Sequence, residues 1–132
     1  KEVPQPEYNR LFEKLEEGTE TIDGVVYQKW TIVPLSDQEI INNVTMEFQN
    51  VMQGRLDQFA ASRGYSGIVS ACTYVSSPNE KYATEAQRCI DLRSATWDAG
   101  YQILNEINSG TRPIPTSMEE IEDELPELTW ED

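Results

Sequence analysis

Residues 34–64 read P-L-S-D-Q-E-I-I-N-N-V-T-M-E-F-Q-N-V-M-Q-G-R-L-D-Q-F-A-A-S-R-G. Ser36 and Glu39 stand in the relation of a capping box, in which the hydroxyl accepts from the Glu39 amide and the carboxylate reaches back. Leu35 and Ile40 occupy the flanking positions of a hydrophobic staple. Beyond the box, Ile41, Val44, Phe48, Val51, Met52, Leu56 and Phe59 recur by threes and fours, the period of one helical face. A helix is therefore predicted from Asp37 to Arg63, ending at Gly64. Gly54 in its interior costs up to about 1 kcal/mol relative to Ala, or marks close packing.

The two sides of this helix differ in character. Upstream, T-E-T-I-D-G-V-V-Y-Q-K-W-T-I-V (residues 19–33) places Asp23-Gly24 between β-branched runs. Both central positions of a tight hairpin turn favour positive φ, which suits this pair. The register sets Ile22 opposite Val25 and Glu20 opposite Tyr27. Val26, Trp30 and Ile32 share one strand face; Val25, Tyr27 and Val33 share the other. Further upstream, Pro4 and Pro6 precede Tyr8, Leu11, Phe12 and Leu15, whose spacing suits an extended start followed by a short helix or turn up to Gly18.

Downstream, G-I-V-S-A-C-T-Y-V-S (residues 67–76) is too short for periodicity to separate helix from strand; its place between two long helices favours a helix. Ser77-Pro78-Asn79-Glu80 repeats the capping-box pattern, with Pro78 at the first helical position. The second long helix is predicted to run to Asn108, with Gly110 beyond its end. Its stripe is Tyr82, Ala86, Cys89, Ile90, Trp97, Tyr101, Leu104 and Ile107. Ile90, Trp97 and Leu104 repeat at seven, as in a seam against another helix. The expected core is Phe48, Val51, Leu56, Ile90, Trp97 and Leu104, with the long helices antiparallel.

The expected fold is thus mainly α with a small β-hairpin. An extended or helical segment (1–17) leads to the hairpin (18–34). A helical domain (35–110) follows, read as a small bundle of two long helices and a short connecting helix, and then an acidic C-terminal tail (111–132). In the tail, Pro113 and Pro115 interrupt structure, one helical turn starts near Thr116, and the carboxylates through Glu124 read as a solvated face.

Chemistry is sparse. The 132 residues contain no histidine, which removes the commonest general base and zinc ligand. There is no glycine-rich phosphate loop, and the carboxylates at 119–124 lack the spacing of a calcium loop. No catalytic residue, cofactor site or metal site is assigned. Twenty-four acidic against ten basic side chains give a net charge of −14. Such a surface repels phosphate backbones and anionic membranes, and no basic patch offsets it. No apolar run spans a bilayer and no secretory leader is read, so Cys72 and Cys89 are expected as buried free thiols in a reducing compartment. Lys1 is not methionine, consistent with a piece of a longer gene product. Asn43-Val44-Thr45 fits a glycosylation sequon, but it lies within the predicted first helix.

What remains is recognition of other proteins. The candidate partner-binding residues are Trp130, Leu128 and Tyr8. Trp130 and Leu128 are large apolar side chains at an acidic end, suited to anchoring an interface. The competing expectation is that the tail folds back and caps the core.

Four segments carry a resemblance. They are W-T-I-V-P-L-S-D-Q-E-I (30–40), S-R-G-Y-S-G-I-V-S-A-C-T-Y (62–74), A-T-E-A-Q-R-C-I-D-L-R-S-A-T-W-D-A-G-Y-Q-I-L (83–104) and P-E-L-T-W (126–130). This succession resembles small proteins and C-terminal domains encoded among the tail-fibre genes of tailed bacteriophages, including tail-fibre assembly proteins. The resemblance implies a virion tail component made in the bacterial host cytoplasm. It would bind other tail, fibre or baseplate proteins and could self-associate. The alternative is an assembly chaperone absent from the finished virion. The resemblance carries no functional residue with it.

Overall fold

The computed structural model describes residues 2–131; Lys1 and Asp132, the outer limits of the first and last expected segments, lie outside the described residues. The chain is an antiparallel hairpin followed by helices, and it divides into two compact units, Lys1–Val44 and Thr45–Asp132.

In the first unit, strand β1 (Glu13–Ile22) pairs with β2 (Val25–Pro34) in one two-stranded sheet. The register is the expected one, with Ile22 opposite Val25 and Glu20 opposite Tyr27. Asp23 and Gly24 adopt φ of 50° and 78°, the left-handed pair that a two-residue hairpin turn requires.

Of the helix or turn expected before Gly18, the turn forms, and it is confined to the residues after Asn9: the Asn9 carbonyl accepts from Phe12 and Glu13 N–H, and its side chain accepts from Leu11 N–H. Residues 13–17 are strand, because the ten residues of β2 offer a full ladder of backbone partners. The hairpin therefore begins at residue 13, not 18. Local helical spacing over so few residues nucleates poorly against that pairing.

Helix α1 (Asp37–Ala61) starts at the predicted box. Glu39 N–H donates to Ser36 Oγ at 3.2 Å, and Ser36 N–H donates to Glu39 Oε1 at 3.5 Å. Its N-terminal part is tied back when Asn43 Nδ2 donates to the carbonyls of Arg10 and Leu11. Asn43, the sequon asparagine, thus spends its amide within the first unit.

The second unit holds the core. After α1 come helix α2 (Ile68–Cys72), a 3₁₀ turn (Thr73–Ser76), helix α3 (Glu80–Ser109) and a single turn, α4 (Glu119–Glu122). Phe48, Met52, Leu56, Phe59 and Ala60 of α1 are buried, as are Ile68 and Ala71 of α2. Asp57 Oδ1 accepts from Ile68 N–H at 3.0 Å and so supplies the start of α2 from outside. Helix α3 ends on Gly110, left-handed at φ 79°, whose N–H returns to the Ile107 carbonyl.

Two expectations for α3 are corrected. Its N-cap is Asn79, whose side chain accepts from Lys81 and Tyr82 N–H, and not Ser77. Ser77 Oγ accepts from Asn79 N–H instead, one step outside the helix. The buried face also differs in part: Ala86, Cys89, Leu104 and Ile107 are buried as expected, and Leu92, Thr96 and Ile103 join them, while Ile90 and Trp97 are only half-buried and Tyr82 and Tyr101 are exposed. A second heptad, Cys89, Thr96 and Ile103, runs one residue earlier and is buried throughout, whereas of Ile90, Trp97 and Leu104 only Leu104 is buried. Gly100 explains the choice. A Cβ there would fall 2.1 Å from Met52 Sδ, so the missing side chain is the space that the buried Met52 fills. Val51, expected in the core, is half-buried.

Met52 of α1 meets Gly100 of α3, and Arg63, two residues past the end of α1, meets Glu85 near the start of α3. A position later along α1 or just past its end thus lies beside a position earlier in α3.

Candidate protein-binding surfaces

The first surface is the hairpin. On one of its faces Glu17, Gln28 and Trp30 hold the main chain of Val3. Val3 N–H donates to Gln28 Oε1 at 3.1 Å, Trp30 Nε1 donates to the Val3 carbonyl at 2.9 Å, and Gln28 Nε2 donates to Glu17 Oε1. The N-terminal segment is thus clasped by side chains of the sheet. Sequence reasoning missed this because nothing in residues 2–7 is apolar enough to suggest docking; the partner groups are polar and lie 25 and more residues away. Tyr8 is half-buried in the same unit, with the Arg10 guanidinium 5.8 Å from its ring centre.

Large apolar side chains stay exposed around the turn and along β2: Ile22 at 50%, Val25 at 39%, Val26 at 54% and Ile32 at 39%. Glu13, Glu16, Glu17 and Glu20 give β1 an acidic character. The β-branched run that signals the hairpin also contains these residues, but only the three-dimensional arrangement leaves them in solvent.

The second surface is the C-terminal segment, which brings Leu128 and Trp130 onto the helices. The Trp130 ring stacks on Phe59, with centres 4.1 Å apart and planes 16° from parallel. Its Nε1 donates to Ser62 Oγ at 2.9 Å, and the Arg63 guanidinium lies 4.8 Å from the ring centre. Leu128 packs on the same cluster of Leu56, Phe59, Ile68, Cys89 and Leu92. Arg88 of α3 donates to the Thr129 carbonyl and hydroxyl and pairs with Glu131 at 3.3 Å.

Closer to α3, Arg112 donates to both oxygens of Glu124, at 2.5 and 3.0 Å, which holds that carboxyl below its ordinary range. The run through Glu124 is therefore not a purely solvated face. It is amphipathic, with Ile121 and Leu125 buried four residues apart between exposed carboxylates.

Two side-chain groupings lie nearby. Glu85 is buried, accepting from Arg63 at 2.7 Å and from the Tyr65 hydroxyl at 2.9 Å. Burial, and then that bond to Glu85, push the Tyr65 hydroxyl up to about 12, so it is a neutral donor. Tyr74 stands between the Tyr65 and Tyr82 rings, 5.5 and 5.8 Å from them. The arrangement reads as a buried ionic clamp between the chain after α1 and α3, with every member satisfied. Trp97 and Tyr101, 5.5 Å apart, line a shallow cleft with Gln53, Arg93, Ser94 and Asp98.

Cys72 and Cys89 are free thiols. Burial pushes Cys89 up to about 11, so it is a poor nucleophile at neutral pH. Among the described residues no group of three or more Cys, Asp or Glu side chains could hold a metal, and no helix is long and apolar enough to cross a membrane. Comparison with protein-family models, curated proteins and solved structures found no match.

Proposed function

We propose that this chain is a non-catalytic protein-binding component of a bacteriophage tail or tail fibre, acting as a connector to other tail proteins. The observation that carries the binding reading is the hairpin, with four large apolar side chains in water on a sheet of only two strands. An isolated hairpin of this kind is marginal in water and gains stability when another chain covers it. Exposed apolar residues beside charged ones suit a protein interface better than a nucleic-acid one at a net charge of −14. The phage assignment draws its support from the four segments quoted above. In this reading the helices form a small bundle that serves as the attachment domain.

Val26→Asp tests the surface. Co-purification of tail proteins with the full chain should fall on the order of tenfold or more, as for loss of an interface anchor, with the circular dichroism spectrum unchanged. Unaltered capture would remove the hairpin from the interface. Presence of the chain in purified particles at constant copy number supports a structural component. Absence from particles, with retained binding to fibre protein, assigns the chain to assembly instead.

A further inference from the structure

Four of the chain's ten basic residues close on its own C-terminal segment. Arg55 donates to the Glu122 carbonyl, Arg112 binds Glu124, Arg63 faces the Trp130 ring, and Arg88 grips Thr129 and Glu131. In so acidic a protein this concentrates positive charge along one groove, beside the apolar floor made by Phe59. The segment that fills it is anchored as far as Leu125, whose N–H donates to the Glu122 carbonyl. Past Pro126 its character changes. Among the described residues, 126–131 make no backbone–backbone hydrogen bond and belong to no helix or strand. What holds them is side-chain chemistry: the Trp130 ring stack on Phe59, its bond to the Ser62 hydroxyl, the Arg63 cation over its ring, the packing of Leu128, and an arginine fork from Arg88 on Thr129 with Glu131 beside it.

A segment held in this way is a peptide ligand joined to its receptor by a proline. It can leave without breaking any helix. Six extended residues reach about 20 Å from Leu125, enough to span to a neighbouring copy. We propose that the groove between α1 and α3 also binds the C-terminal segment of a second copy of this chain, tail for tail. The occupant is specified by the complementarity seen within one chain: Trp130 for Phe59 and Arg63, and Glu131 for Arg88. The exchanged pair reproduces every contact of the closed monomer, so the two states differ mainly in the entropy of association. Within one chain the tail acts at an effective concentration on the order of millimolar. Exchange is therefore favoured where copies are crowded or where a groove is vacant. The inference does not depend on the hairpin or on the phage assignment.

Two full-length variants test it. Trp130→Ala removes the ring from its own groove and loosens the tail but leaves Arg88; Arg88→Glu keeps the Trp-bearing tail but weakens its own groove. Each alone should remain monomeric in analytical ultracentrifugation, and an equimolar mixture should form a 1:1 complex. Addition of a synthetic peptide of residues 124–131 should dissolve that complex, whereas a peptide with Trp130→Ala should not. If Trp130→Ala lowers helicity, Arg88→Glu mixed with Glu131→Lys replaces the pair, because the introduced charges then match only between chains. A mixture that stays monomeric while both variants are folded overturns the proposal. Peptide binding to the Trp130→Ala chain without any complex between chains also overturns it, since the groove would then serve only its own tail.

Discussion

Asn79 and Ser77 compete for the start of α3, and the geometry decides between them. Asn79 Oδ1 accepts from Lys81 N–H at 3.0 Å and from Tyr82 N–H at 3.4 Å, two donors that otherwise have no partner in the first turn. Asn79→Ala should cost about 1 kcal/mol on urea titration, and Ser77→Ala clearly less. Equal losses would show that Ser77 shares the cap. Glu39 shows the electrostatic side of capping. Its bonds to the Ser36 hydroxyl and backbone hold its carboxyl below the unfolded value of 4.5. A group depressed in this way contributes stability above pH 4.5 and loses it as pH falls through the lower folded value. The gap in Tm between the wild type and Glu39→Gln should therefore be present near neutrality and close below pH 4.5. A gap independent of pH would mean that only uncharged hydrogen bonding is involved.

At the scale of elements, the contact between α1 and α3 turns on Gly100. Replacing it with Ala gains up to about 1 kcal/mol of helix propensity. The new methyl, however, falls where the buried Met52 sulfur sits, 2.1 Å away, with Phe48 close behind. Overpacking of this kind costs roughly 1–3 kcal/mol, so Gly100→Ala should be destabilising on balance. Met52→Ala should then cost less in the Gly100→Ala background than in the wild type. Costs that add to within about 0.5 kcal/mol would show that the two residues are not in contact. The expected seam is Ile90, Trp97 and Leu104, because the pattern rewards bulk; of these only Leu104 is buried. The buried face also carries Cys89, Thr96 and Gly100, where the missing side chain of Gly100 leaves room for Met52.

For the whole molecule, the two compact units differ in what stabilises them. Among the described residues of Lys1–Val44, only Val44 is fully buried, whereas the second unit contains a continuous buried cluster. Cooperative protection follows buried apolar contact, not backbone pairing alone. Amides of β1 and β2 should exchange with solvent far faster than those of α1 at residues 48–60 or α3 at residues 86–104. A bound partner that covers the hairpin should slow exchange in the strands and leave the helices unchanged. Equal protection in both units without any partner would mean that the hairpin is stable by itself and would weaken the case for an interface there.

The sequence by itself determined the elements whose signals are local. The Asp23-Gly24 turn and its register, the Ser36–Glu39 box and the glycine stop at Gly110 are each decided within a few residues, by allowed φ angles and by orphan N–H groups. The tertiary structure decided which face of α3 is buried, because that depends on the depth of Met52 on another helix. It also settled the fate of both chain ends. Val3 is held by Gln28 and Trp30, and Trp130 by Phe59, Ser62 and Arg63, partners 25 to 71 residues away. An aromatic residue at an acidic terminus is equally suited to a foreign groove and to its own. Only the arrangement of Phe59 and the surrounding arginines in space distinguishes the two, and it places Trp130 on its own helices.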